Sequence, residues 1–164
     1  MDFEQFLEAE MPGLVRFSRI LTGDRQDAHD VLADALIKTG KNWEGVGAVA
    51  DPPAYVRRIV VNTYLADRRK AVRRRTTPVA AVSSAVATPD FSGQIDNRDL
   101  LHQSLKQLAP QQRAVVVLRY YQDLDDAAIA AVVGTSVSTV RSNISRALTH
   151  LRVSPHLTGT ERLT

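Results

Sequence analysis

The sequence contains no cysteine, which excludes disulfides, thiolate-bound zinc, iron–sulfur clusters and thiol catalysis together. Aromatic residues make up only 5%, and there are 8 glycines and 7 prolines in 164 residues. So few turn-forming residues, beside abundant alanine, leucine and valine, favour helices over a turn-rich sheet. No apolar run approaches the ~18 residues that cross a bilayer. The N-terminus, MDFEQFLEAE, is acidic, unlike a signal or transit peptide. No membrane insertion is expected, and the expected location is cytoplasmic. Catalytic signatures are missing as well. There is no P-loop and no glycine-rich nucleotide fingerprint, and the four histidines, at 29, 102, 150 and 156, are scattered. Neither a cofactor, a metal nor an enzymatic activity is expected.

What the chain has is charge, unevenly placed. The net charge is +3. Residues 1–55 hold 10 acidic and 5 basic residues, whereas 56–75 hold 8 basic residues and one aspartate. An acidic section followed by a concentrated basic one points to two partners, one basic and one polyanionic.

The apolar pattern is helical in two stretches. In 1–75, Phe3, Phe6 and Leu7 predict a short helix that breaks near Pro12-Gly13, and Leu14, Phe17, Ile20 and Leu21 predict the next. Ala28, Val31, Leu32, Ala35 and Leu36 form the cleanest helical stripe, which ends near Gly40. Residues 40–53, with three glycines and two prolines, read as a loop. Val56, Ile59, Val60 and Thr63 then line a helix that runs into the arginine cluster. Residues 76–96, rich in Ala, Ser, Thr and Pro and without a basic residue, read as a flexible linker. Residues 97–153 are helical again, and 154–164 form a tail. The predicted fold is all-α: two small, separately folded helical domains, 1–75 and 97–153, joined by that linker and free to move.

The second domain carries the sharpest motif, LDDAAIAAVVGTSVSTVRSNISRALTHLR, residues 124–152. Asp125 and Ser136 are candidate N-caps on either side of a glycine turn. In the second helix Val137, Val140, Ile144, Ala147, Leu148 and Leu151 face inward. Ser138, Thr139, Arg141, Ser142, Asn143, Ser145 and Arg146 face outward, with no acidic residue from 127 to 160. Hydroxyl and amide groups beside arginine near a helix N-terminus suit the major groove, where arginine pairs with guanine and asparagine with adenine.

In the first domain Asp27, Asp30 and Asp34 share the face opposite the apolar stripe. Three carboxylates repel one another unless a basic partner meets them. Metal binding by these residues and His29 is not expected, because 29 and 30 diverge around the helix. Arg58, Asn62, Leu65 and Arg69 lie on one strip of the basic helix, with Arg57, Tyr64 and Arg68 on the neighbouring one. Lys70, Arg73, Arg74 and Arg75 extend a charge suited to tracking phosphates. Trp43 either stacks on DNA or anchors the loop against the helices. Helix 110–121 offers more apolar surface, from Val115 to Tyr121, than one side of a small domain buries.

The string AVVVLRYYQDLDDAAIAAVVGTSVSTVRSNISRALTHLR resembles domain 4 of extracytoplasmic-function sigma factors, of the actinobacterial SigE-like subfamily. LTGDRQDAHDVLADALIKTGKNW is similar to the family's core-binding helix, and DPPAYVRRIVVNTYLADRRK to its promoter-melting helix. The resemblance implies an alternative sigma factor that binds core RNA polymerase and directs promoter-specific initiation. By the same resemblance, Asp27, Asp30, Leu32 and Asp34 meet the β′ clamp helices. Trp43, Arg58, Asn62, Arg68 and Arg69 act at the minus-10 element. Ser138, Thr139, Arg141, Ser142, Asn143 and Arg146 act at the minus-35 element. It also implies a contact between the β flap and helix 110–121, and an anti-sigma factor as a possible partner. His29 and Ala33 stand where many relatives have Glu and Gln, and Asn143 where Arg or Gln is frequent. Two other readings of the residues stay open: a free-standing helix-turn-helix regulator, and a degenerate sigma-like interaction protein.

Overall fold

The computed structural model describes residues 1–76 and 97–153, and among them there is no strand. The linker and tail expected at 76–96 and 154–164 therefore lie, apart from Thr76, outside the described residues. The first stretch contains α1 (Phe3–Thr22), α2 (Arg25–Lys41), α3 (Trp43–Gly47) and α4 (Pro52–Thr76). The second contains α5 (Asn97–Lys106), α6 (Pro110–Val116) running into a π-helical turn (Val117–Tyr121), α7 (Asp126–Val133) and α8 (Val137–Val153).

Local chemistry sets the ends of these elements. Asp2 and Gln5 close a reciprocal capping box at the start of α1. Gly23 ends that helix in the left-handed region, at φ 71°, where its N–H donates to the Arg19 carbonyl. Asp24 then caps α2 by accepting from the Gln26 and Asp27 amides. Asp51 accepts from the Ala54 amide, and Pro52-Pro53 follow at positions whose N–H groups a helix start leaves unused.

Two expectations are corrected. The helix does not break at Pro12: α1 runs through it as one element. Pro12 and Gly13 are exposed, and the buried residues Phe6, Leu14, Phe17 and Leu21 keep one helical phase across them. Packing of that continuous stripe outweighs the lost hydrogen bond of one proline. Likewise, 40–53 is not wholly a loop. Trp43 to Gly47 form a short helical turn, with Val46 buried beneath it.

A third difference concerns how the halves relate. Rather than standing apart, they share one apolar core. Phe17, Leu21, Val56, Val60, Val61 and Tyr64 from the first half join Val115, Val117, Leu118, Ile129 and Val140 from the second in a single cluster. Helix α4 contacts both α6 and α7. Ile20 of α1 packs against the smaller cluster of Leu105, Leu108, Val116, Ala147 and Leu151. The surplus apolar surface of helix 110–121 is thereby accounted for, since the first half covers much of it. Tyr120 and Tyr121 remain exposed, with Tyr121 stacked 6.3 Å from Phe17.

A buried arginine closes this junction. Arg113 is 3% exposed and donates from Nη2 (2.8 Å) and Nε (3.3 Å) to the Ile20 carbonyl. That carbonyl is one of the last of α1, the end of the helix dipole that favours a cation. Burial lowers the Arg113 pKa and raises that of nearby Tyr64, against the opposing pull of Arg113 and Arg68 on the phenol. Gly23 makes the close approach possible, because a Cβ there would overlap the Arg113 guanidinium.

Candidate functional site

Three surfaces are candidates. The first is the outer face of α2. Its inner stripe is as expected: Ala28, Val31, Leu32 and Ala35 are buried, and Thr39 returns its hydroxyl to the Ala35 carbonyl at 2.8 Å. Leu32 therefore leaves the predicted docking surface, because it is packed inside the core it helps to build. The three aspartates do share the opposite face, in different states. Asp27 is taken up inside the molecule, where its Oδ2 accepts from Arg68 Nη2 at 2.8 Å. Asp30 accepts from Gln26 Nε2 at 3.0 Å and lies 3.8 Å from His29 Nδ1. Asp34 is exposed and has no cationic partner among the described residues. The exposed negative face is thus Asp30 and Asp34.

The second surface lies on α4. Arg58, Asn62, Arg69, Lys70, Arg74 and Arg75 are exposed along it, and Arg57 and Arg68 are half-buried. Leu65 drops out of the predicted strip, being buried with Val56, Val60, Val61 and Tyr64. Arg68 is held from two sides. Beyond its bond to Asp27, its guanidinium carbon sits 5.5 Å from the centre of the Tyr64 ring. Asn62, by contrast, is open to solvent. Of the two roles open to Trp43, the structure shows the anchoring one. Its ring packs against Phe3 and Phe6, with centroids 5.3 and 4.9 Å away, and Nε1 donates to the Met1 carbonyl.

The third surface is the helix-turn-helix. Asp125 caps α7 by accepting from the Ala128 amide at 2.8 Å. Gly134, at φ 72°, turns the chain with its N–H on the Ala130 carbonyl. Ser136 then caps α8 through the Thr139 amide, and its hydroxyl also meets that of Thr139 at 2.9 Å. Val140 and Ala147 are fully buried, which fixes the rotation of α8. Ser138, Thr139, Arg141, Ser142, Ser145 and Arg146 consequently face solvent, and Asn143 is half-buried. Arg141 is not isolated: its Nε donates to Asp126 Oδ2 at 3.0 Å, and Arg119 pairs with the other oxygen of the same carboxylate.

Arg113, the Arg68–Asp27 pair and the Asp126 bridge all escaped the sequence reading. The bonds Arg113–Ile20, Arg68–Asp27 and Arg141–Asp126 join residues at least 15 positions apart, beyond the reach of any single-helix pattern. Among the described residues no cluster of His, Asp or Glu could hold a metal ion. No described helix is long and apolar enough to cross a membrane.

Residues 98–151 match the family model described as Sigma-70, region 4. Over 156 residues the chain is 36% identical to an RNA polymerase sigma-E factor of Streptomyces avermitilis, covering 93% of this chain and 84% of that protein. The chain belongs to the extracytoplasmic-function sigma factors. This sigma factor is also 30% identical, over 152 residues, to the ECF RNA polymerase sigma factor SigL of Mycobacterium tuberculosis, covering 91% of this chain and 86% of that one. A solved structure of the sigma factor RpoE in complex with the anti-sigma factor NepR, from Bartonella quintana, is similar at a TM-score of 0.71 and 25% identity. That likeness covers 98% of this chain and 99% of the other. Like its relatives, this chain is an alternative sigma factor that directs transcription initiation.

Proposed function

We propose that this sigma factor divides its work among the three surfaces. Asp30 and Asp34 on α2 dock on the basic β′ clamp helices of core RNA polymerase. The loop and helix spanning 40–75 recognise and open the minus-10 region, with Asn62 on base edges and the arginines of α4 on phosphates. Helix α8 reads the minus-35 element through Arg141 and its neighbours, with Arg146 on the backbone. The chain works in the cytoplasm and performs no chemistry of its own; the polymerase does. An anti-sigma factor belongs to this reading as a partner, since the similar RpoE structure is a complex with one.

The observation that carries the proposal is the exposed acidic face of α2. Asp30 and Asp34 are exposed carboxylates with no cation bound to Asp34, opposite a fully packed stripe. Like charges held together on a surface favour a complementary partner. Replacing both, Asp30→Lys with Asp34→Lys, touches no core contact, so the double variant should melt like wild type and still bind minus-35 DNA through α8. It should lose several kcal/mol of complex stability with core polymerase, because like charges then face each other. Unchanged affinity for core polymerase at moderate salt would remove α2 from the interface.

A further inference from the structure

Asp126 is an acidic residue beside the base-reading face of a DNA-binding motif, where a carboxylate normally weakens binding to phosphates. Its surroundings explain its presence there. It occupies the first position of α7, inside the positive end of the helix dipole. Its two oxygens meet two guanidiniums from two other elements, Arg119 on the π-helical turn and Arg141 on α8. The Asp126 side chain is only 22% exposed while that of Arg141 is 71% exposed. The carboxylate is thus half inside, and the arginine that it holds reaches outward.

Geometry makes that hold selective. Asp126 accepts from Arg141 through Nε alone. No described residue is bonded to the two terminal nitrogens, which form the part of the fork able to pair with guanine O6 and N7. An unrestrained arginine on a helix surface samples many rotamers and loses that freedom when it binds. A charge-assisted bond at Nε restricts the side chain beforehand and leaves its recognition end available. We infer that Asp126 is a positioning residue for promoter recognition: it aims Arg141 at a single base, and it also discourages binding to DNA without that base. This inference rests on Arg141 being a base reader, as proposed above.

The test uses the full chain and a pool of DNA duplexes with a randomised core, sequenced before and after binding. Wild type should enrich guanine at one position, and Arg141→Ala should lose that enrichment. Asp126→Asn keeps the shape and removes the charge. It should lower the guanine preference at that position roughly threefold to tenfold, leave the other positions unchanged, and bind an unrelated duplex more tightly than wild type does. A helix-orienting role alone would weaken all positions together. Should Asp126→Asn melt below wild type, Arg119→Gln is the control. It removes the other half of the bridge but keeps the Asp126–Arg141 bond, so its motif should match wild type.

A wild-type base profile in Asp126→Asn would overturn the inference, as would loss of the guanine preference in Arg119→Gln. If Arg141→Ala leaves the motif intact, the assignment of Arg141 as a base reader fails, and the inference fails with it. That outcome is distinct from an Arg141 that reads guanine without help from Asp126.

Discussion

Gly23 and Gly13 show how differently two glycines of one sequence behave. Gly23 holds φ 71° and faces the Arg113 guanidinium, so a side chain there meets backbone strain and displaces the tip of a buried, hydrogen-bonded arginine. Gly13 sits inside α1 with nothing within 4 Å of a Cβ. Gly23→Ala should therefore lower unfolding stability by about 2–4 kcal/mol, combining left-handed strain with loss of hydrogen bonds to a buried charge. Gly13→Ala should raise stability by about 0.5–1 kcal/mol, since alanine suits a helix interior better. Denaturant midpoints at constant m-value check both. A Gly23→Ala variant as stable as wild type would mean that Arg113 does not lock the two halves together.

Among the elements, α4 is shared most widely. One of its faces carries Val56, Val60, Thr63 and Tyr64 into the core, and it touches α1, α2, α3, α6 and α7. Its exposed side carries Arg58, Asn62 and Arg69. Because Asn62 is open to solvent, its truncation should change stability by no more than about 0.5 kcal/mol. Asn62→Ala should thus keep wild-type melting and polymerase affinity yet form fewer open complexes on duplex promoters, as read by permanganate reactivity of unpaired thymines. A lowered melting point would make Asn62 a structural residue of α4 instead.

The elements also separate what the sequence disclosed from what it hid. The α2 stripe, the helix-turn-helix with its Asp125 and Ser136 caps, and the outward face of α8 were all legible, because each depends on spacing within one or two helices. Pro12 was misleading. A local breaking signal lost to packing that only the folded partners of α1 supply. Leu65 was misplaced because α4 buries a wider face than its spacing suggested, having neighbours on more than one side. Arg113 was invisible for a related reason: its partner is a carbonyl 93 residues away, at the end of another helix.

Taken whole, the described residues form one packed body with a core common to both halves. This differs from two independent domains and bears directly on function. Minus-10 and minus-35 elements lie, as their names say, roughly 25 base pairs apart, or on the order of 85 Å along the duplex. A compact chain of this length has a radius of gyration of only about 15 Å. If the two halves act at those two elements as proposed, occupying both at once requires the shared core to open, with Arg113 leaving the Ile20 carbonyl. On the same reading, simultaneous binding of the first half at the minus-10 region and of the second at the minus-35 element favours the open form.

As proposed, all three surfaces serve one activity, directing core polymerase to promoters. Run-off transcription tests it most directly, with purified core polymerase, the chain, and a library of genomic fragments from the same organism, followed by mapping of transcript 5′ ends. Adding the chain should create focused start sites preceded by two spaced motifs, and Asp30→Lys with Asp34→Lys should abolish them. Start sites that are the same with and without the chain, despite tight binding of the chain to DNA alone, would contradict it and identify a regulator that acts without polymerase.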